Sequence, residues 1–529
     1  MNETKRKILK FCIDKKRDII ASEIAQVLNL SQNTVQKYLR DFQKAGRIAQ
    51  FVKGQYQLMD PKHYFDNYLF VYKKEQLIGY LNFDKGLYQF AYENHYLCQL
   101  EAIALSPTIE LTETILKNEI FPVFEQLIPE GTDRKLLERK AGSANDFDLL
   151  PLLQHIYGDF QFSKTPLNLK DKHYSHQIFY EDIKSKLLEQ NAFPNILEMD
   201  IQIDNEVLFP ERKELDKVSR IFPPSGLSGY QHKFSVVLKN NIIRQAKENE
   251  SAYYFIKPYH PEKANKESNL YFPHLAINEH LFMTFAKNEL KFDVPWTGIV
   301  KRQEDEEYHY IVKRFDRYNG YKFAYYEFAT LLGLDSERKY EISSEKMLKR
   351  IKEVLILPKE RLILLSYYFY SMLIVHEDMH TKNLSVRTEG EEIRMSPLYD
   401  IATTAIYQNI YGYESHLPIN GKRTNIRPKD FYVLVDLMQV NRKTFTKTAS
   451  FILSCYINKL PEYFDKLEKF LPDVLFYKRK LTRSFNRNKQ RVVKSMSLAD
   501  KMKQNHQIHM KQLKKNGWYT ELKINCSVK

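Results

Sequence analysis

The stretch HEDMHTKNLSV, residues 376–386, followed by MSPLYDIA, residues 395–402, decides how this chain is read. It comes directly after RLILLSYYFYSMLIV (361–375), which is apolar enough for a buried helix, so the polar run that follows is a loop leaving a helix end. Asp378 stands five residues before Asn383, and Asp400 follows 22 residues after Asp378, beyond a predicted hairpin. A carboxylate on a loop can accept a hydroxyl proton. An amide oxygen and a second carboxylate suit Mg2+, which takes one or two carboxylates and completes its shell with phosphate oxygens. Alone, the Asp-to-Asn spacing also fits a loop of polar caps; the downstream Asp gives it specificity.

That spacing resembles the catalytic loop of protein kinases, where the Asp accepts the substrate proton and the Asn holds magnesium. The remaining parts such a site needs are found upstream. SGLSGYQHK (225–233) is a small-residue loop before the alternating run FSVVL, and small residues let backbone N–H groups approach phosphate. YYFIKP (253–258) reads as a buried strand ending in Lys257, a candidate for the nucleotide phosphates. Glu279, in the predicted helix INEHLFMTFAKNE, is its candidate ion-pair partner, and YIVKRFDR (310–317) is a strand whose end could offer hinge groups to a base. Loop, Lys, Glu, hinge, catalytic Asp and metal Asp follow in the order kinases use; their agreement carries more weight than any one of them.

The first 60 residues have a different texture. Residues 3–17 place Ile8, Phe11 and Cys12 on one helical face, Ile19 and Ile20 form an extended link, and 22–29 read as a second helix. Ser31 is an N-cap for a third helix, QNTVQKYLRDFQKAGR, closed by Gly46, and 48–59 form a hairpin turning at Lys53-Gly54. Three helices and a hairpin make a winged helix-turn-helix. The third helix exposes Gln32, Asn33, Gln36, Lys37 and Arg40; amides and guanidinium groups read base edges, and Lys and Arg hold phosphates. Together with the wing residue Lys53 these predict contact with double-stranded DNA, although helix-turn-helix folds also serve in protein contacts.

Charge is distributed unevenly. Residues 1–58 carry 12 Lys/Arg against 5 Asp/Glu, and residues 474–529 carry 15 against 2, so two basic ends flank a mildly acidic middle. The basic tail fits DNA, tRNA or plain solvation. No apolar run reaches the length of a membrane span, the N-terminus lacks a signal-peptide pattern, and Cys12, Cys98, Cys455 and Cys526 form no CxxC pair. These features predict a cytoplasmic protein with no membrane partner. Aromatic alternation after Pro61 predicts an antiparallel sheet, residues 112–129 read as helical, and 441–470 as further helices.

LAINEHLFMTFAK, KRFDR before FATLLGLDSERKYE, D-x-H-x-K-N before PLYD, and FEQLIPEGTDR upstream together resemble the HipA family of toxin kinases over roughly residues 65–440. The resemblance implies an α+β chain: a bilobed HipA-like protein-kinase fold with an N-terminal β-rich subdomain, here preceded by the small winged helix-turn-helix. The predicted divisions are 1–60 for the winged helix, 61–170 for the β-rich subdomain, 171–320 for the N-lobe, 321–473 for the C-lobe, and 474–529 for the basic segment. The resemblance implies ATP and Mg2+ as cofactors, Asp378 as base, and Asn383 and Asp400 on the metal. Ser228, Gly229, Tyr230, Gln231, His232, Lys233, Lys257, Lys313, Arg314, Phe315, His380, Lys382, Asn383, Tyr399 and Asp400 would line the nucleotide site, with Lys313 and Phe315 reaching adenine through their backbone.

Family members phosphorylate a serine of an aminoacyl-tRNA synthetase and are often paired with a DNA-binding antitoxin. The implied partners are such a protein substrate, operator DNA and an antitoxin; a second copy in a homodimer is expected on symmetry grounds if the operator is palindromic. In the family a loop serine can be autophosphorylated; Gly226 stands where one such serine is expected, leaving Ser228, with Ser225, as the candidate. Two other readings remain open: a DNA-binding regulator whose kinase-like domain senses ATP or is inert, and a small-molecule kinase.

Overall fold

The computed structural model of the chain describes residues 1–168, 178–189, 195, 197–198, 206–208, 231–247, 250–269, 271–389, 392–407 and 411–495. Two units form, one within Met1–Ser175 and one within the chain from His176 onward.

The first unit begins with α1 (Glu3–Lys15), β1 (Ile19–Ile20), α2 (Ala21–Val27) and α3 (Gln32–Lys44), then β2 (Ile48–Val52) and β3 (Gln55–Leu58). The apolar spacing read from the sequence becomes a small core: Ile8, Leu9, Cys12, Ile24, Val35, Leu39 and Phe42 are all buried. Ser31 caps α3 by accepting from the Thr34 N–H at 3.1 Å. The link Ile19–Ile20 is a strand that pairs with β3, and Gly54 turns the wing at φ +82°, where a side chain would be strained.

A five-stranded antiparallel sheet follows, built from β4 (Tyr68–Lys73), β5 (Gln76–Asp84), β6 (Leu87–Tyr92), β7 (Thr114–Lys117) and β8 (Phe160–Ser163), in the order β7-β6-β5-β4-β8. The expected helix over 112–129 does not form. The β-branched run Thr114-Ile115 extends and pairs with β6, because β-branched side chains fit a pleated surface and the edge of β6 supplies the ladder partners; only Pro122–Glu125 is helical there. The winged helix is fastened to this sheet. Arg47 is fully buried, donating to Asn94 Oδ1 at 2.6 Å and to the Glu113 carbonyl, while Asn94 donates to the Met59 carbonyl at 2.9 Å.

The second unit holds a six-stranded sheet of β9 (Glu206–Leu208), β10 (Phe234–Lys239), β11 (Ile242–Gln245), β12 (Tyr254–Lys257), β13 (Thr297–Val300) and β14 (His309–Lys313), in the order β13-β14-β12-β10-β11-β9. The helix Leu275–Asn288 packs on it and is buried along most of its length. Beyond lie the buried helix Pro358–Ile374, the helices Arg442–Asn458 and Leu460–Phe470, and a three-stranded sheet of Tyr325–Glu327, Ser385–Glu389 and Glu392–Met395. Among the described residues no helix is long and apolar enough to cross a membrane. Cys12, Cys98 and Cys455 are free thiols that burial pushes up to about 12.

Candidate active site

The apolar helix Pro358–Ile374 delivers the loop that carries Asp378. It ends at Val375, which adopts the left-handed conformation at φ +55°. That conformation is strained for a β-branched residue, and the contacts around it hold it there. The Val375 N–H donates to Met372 O at 3.2 Å, and the Val375 carbonyl accepts from both the N–H and the hydroxyl of Thr404. The reversal presents Asp378 to solvent while its neighbours stay buried. Asn383 Nδ2 donates to the Asp378 carbonyl at 3.0 Å, so the five-residue spacing closes the loop on itself. Glu377 accepts from the N–H groups of Tyr411, Gly412 and Tyr413 at 3.2, 2.8 and 3.2 Å, fastening that segment beside the loop.

Lys257 ends β12 with its ammonium buried. It donates to both oxygens of Glu279, at 2.9 and 3.0 Å, and to Asp400 Oδ1. It lies 5.4 Å from the centroid of the Tyr310 ring, its cross-strand neighbour. Burial opposes its charge, yet Asp400 and then Glu279 hold its pKa above the usual lysine range. Burial would raise Asp400, but Lys257 and then Lys233 outweigh it and hold that carboxyl below the usual range. At Glu279 burial prevails over Lys257 and lifts the carboxyl. Two carboxylates thus share one principal cation, with the deficit falling on Glu279. Asp400 itself sits at φ +54°, a conformation Asp tolerates better than most residues.

Among the described residues no three or more His, Cys, Asp or Glu side chains converge as a metal cage. Asp400 and Asn383 offer one carboxylate and one amide oxygen, which suits a cation whose remaining ligands come from phosphate and water, as Mg2+ prefers. The two residues therefore fit Mg2+ carried in with a nucleotide.

The other sequence candidates divide. Lys233 is buried and acts electrostatically on Asp400; Gln231 and His232 lie just before it, the His232 ring 4.2 Å from Phe234. Ser225, Ser228, Gly229 and Tyr230 lie outside the described residues. The Lys313 N–H is already engaged by the Trp296 carbonyl at 3.0 Å, and its ammonium donates to the carbonyls of Lys186 and Glu189. The Arg314 N–H pairs with Tyr253 O and its guanidinium with Asp316. Neither N–H is open to a base, because β14 is an inner strand with partners on both sides. Phe315 is buried with its ring facing Tyr325 and Tyr399. Lys382 pairs with Glu327 at 3.3 Å and donates to Ser336 Oγ at 3.1 Å; Tyr399 donates to the Lys382 carbonyl at 2.8 Å. His380 is buried, and burial drives its pKa well below the ordinary value, so it is neutral.

Two residues escaped the sequence reading. Asn278, beside Glu279, is fully buried and bonds the backbone of Thr403; the one signal was a polar residue in an otherwise apolar helix. Tyr340 Oη donates to Asp378 Oδ1 at 2.6 Å from a segment 38 residues away, with no local pattern to betray it.

In the first unit, Gln32, Asn33, Lys37 and Arg40 are exposed on α3, Gln36 is half-buried, and Lys53 is exposed at the wing tip beside exposed Phe51 and Val52. One face of one helix thus presents the amides and cations together.

The second unit, with its sheet Lys paired to a helix Glu and its Asp-Asn loop beneath a long buried helix, has a two-lobed protein-kinase-like fold. Residues 225–460 match the HipA-like C-terminal domain, residues 69–160 the HipA N-terminal domain, and residues 1–49 the winged helix-turn-helix DNA-binding family. The chain belongs to the HipA family, with a winged helix-turn-helix at its N-terminus. It is 24% identical over 349 residues to Y4mE of Sinorhizobium fredii, a protein provisionally named a kinase, covering 63% of this chain and 77% of that one. A chain in the structure of the Shewanella oneidensis MR-1 toxin–antitoxin system, which holds HipA, HipB and their operator DNA, superposes with a TM-score of 0.56 at 18% identity, covering 80% of this chain and 97% of that one. At that identity the likeness speaks for the fold.

Proposed function

We propose that this protein is an ATP-dependent serine/threonine protein kinase of HipA toxin type that also binds operator DNA through its N-terminal domain. The observation that carries the proposal is the cluster of buried Lys257 and Glu279 with part-buried Asp400, taken together with the Asp378–Asn383 loop. A lysine held charged between two carboxylates is suited to nucleotide phosphates, and it would exchange Asp400 for them on binding. Asp400 and Asn383 would then hold Mg2+, which neutralises charge on the phosphate oxygens. Solvent-facing Asp378 would accept the proton of the attacking hydroxyl. The N–H groups of Lys313 and Arg314 are already paired, so a hinge hydrogen bond donated by backbone to adenine falls to Phe315 or beyond.

The family supports a translation-related substrate such as an aminoacyl-tRNA synthetase, and a loop serine, Ser228 or Ser225, as the autophosphorylation site. The Shewanella complex supports operator DNA and an antitoxin as partners; a palindromic operator would recruit a homodimer. The test is γ-labelled ATP with wild type beside Asp378→Gln, followed by phosphoproteomics after induced expression. Labelling absent from wild type, or persisting in the variant, would favour the reading of a DNA-binding regulator with an ATP-sensing or inert domain. DNA contact is tested separately: Lys37→Ala and Arg40→Ala should each reduce the salt slope of binding by about one.

A further inference from the structure

We propose that Tyr340 is the positioning residue of the phosphotransfer base: its phenol orients the Asp378 carboxylate, holding Oδ1 so that Oδ2 faces the acceptor hydroxyl. The inference rests on the kinase reading above.

A carboxylate on an exposed loop turns freely about its side-chain torsions, and a base that must meet a hydroxyl in one direction loses rate by that freedom. The loop backbone is secured by Asn383, but that bond reaches the Asp378 carbonyl and leaves the carboxylate unrestrained. Tyr340 supplies the missing restraint at 2.6 Å. Its own position is fixed from two directions. The chain around it is strapped to the catalytic loop, since Thr381 Oγ1 donates to the Lys339 carbonyl at 3.0 Å and Lys382 Nζ donates to Ser336 Oγ at 3.1 Å. Its ring is held edge-on to His380 at 4.8 Å and 84°, and against His416 at 4.3 Å and 46°. The straps and the ring contacts fix Tyr340, and its hydroxyl alone reaches the carboxylate oxygen.

The experiment uses the full chain, with ADP release measured against ATP concentration and dephosphorylated casein as acceptor, and incorporation into the chain itself read in parallel. Tyr340→Phe keeps both ring contacts and removes only the hydroxyl. The expected result is a fall in kcat of roughly ten- to a hundredfold, with the KM for ATP and the urea midpoint unchanged. A Tyr340→Phe enzyme with unchanged kcat would show that the ring alone matters, and one with raised kcat would show that the phenol obstructs the acceptor; either overturns the proposal. If wild type transfers no phosphoryl group to any acceptor, the kinase reading fails and this inference falls with it. An active wild type matched by Tyr340→Phe sinks the inference alone.

Discussion

Asn278 and Thr403 are joined by a reciprocal pair of hydrogen bonds across 125 residues of chain: Asn278 Nδ2 donates to the Thr403 carbonyl at 2.7 Å, and the Thr403 N–H donates to Asn278 Oδ1 at 3.1 Å. Asn278 adjoins Glu279, and Thr403 lies three residues past Asp400. The bond pair therefore registers the helix that pairs with Lys257 against the segment after Met395 that carries Asp400. Asn278→Ala strands a buried N–H and a buried carbonyl, and should cost about 2–4 kcal/mol in urea unfolding. Asn278→Asp should not restore it, because a carboxylate cannot donate to the Thr403 carbonyl. A loss under 1 kcal/mol, on the order of an ordinary surface change, would show the pair to be incidental.

Removing Lys257 should be worse than removing either of its partners. Lys257→Met leaves buried Glu279 and part-buried Asp400 without this cation, an imbalance of roughly 3–5 kcal/mol. Adding Glu279→Gln removes one uncompensated charge, so the double variant should be more stable than Lys257→Met alone. Denaturation of the three proteins together with wild type checks this through the coupling energy, and strict additivity would contradict a shared charge cluster.

Arg47 makes the winged helix and the β-rich sheet one body. Burial lowers its pKa to about 10, with Glu113 opposing, so it remains charged at neutral pH. Arg47→Met leaves Asn94 Oδ1 and the Glu113 carbonyl without this donor, a loss of about 2–4 kcal/mol. Because that loss falls on the junction, calorimetry should resolve an earlier transition for the winged helix, and limited proteolysis should cut within 59–67. One unshifted transition would argue that the junction holds without Arg47.

The part of stability that rests on His280 should decline on mild acidification, against the opposite contribution of Glu279, whose carboxyl burial lifts to about 7. Burial lowers the His280 pKa from 6.5 to about 3, and its Nδ1 meets Thr297 Oγ1 at 2.9 Å. Below pH 6.5 the unfolded chain binds a proton that the folded chain refuses until about pH 3, so stability rises with pH across that window. The slope from this residue approaches about 1.4 kcal/mol per pH unit. His309, His376 and His380 are lowered by burial too and add with the same sign. Urea midpoints at pH 7.5 and 5.5 measure the slope, and His280→Gln should flatten it.

Local order along the chain settled much of this protein. Helical spacing in QNTVQKYLRDF, the cap at Ser31, the Lys53-Gly54 turn, the buried strand YFIK, and the five residues from Asp378 to Asn383 each depend on neighbours a few positions away, so they can be read without the fold. Residues 112–129 were misread because a four-residue run carries no period of its own, and the waiting edge of β6 decided its state. What only the tertiary structure decided is which other distant groups meet: Asn278 with Thr403, Tyr340 with Asp378, Arg47 with Asn94 and Glu113, and Lys257 with Asp400 besides the Glu279 that the sequence order predicts. The unforeseen contacts span 38 to 143 residues and are made by single side chains that repeat with no period. Burial strengthens them, apart from the exposed Tyr340–Asp378 bond, and burial is a property of the assembled core.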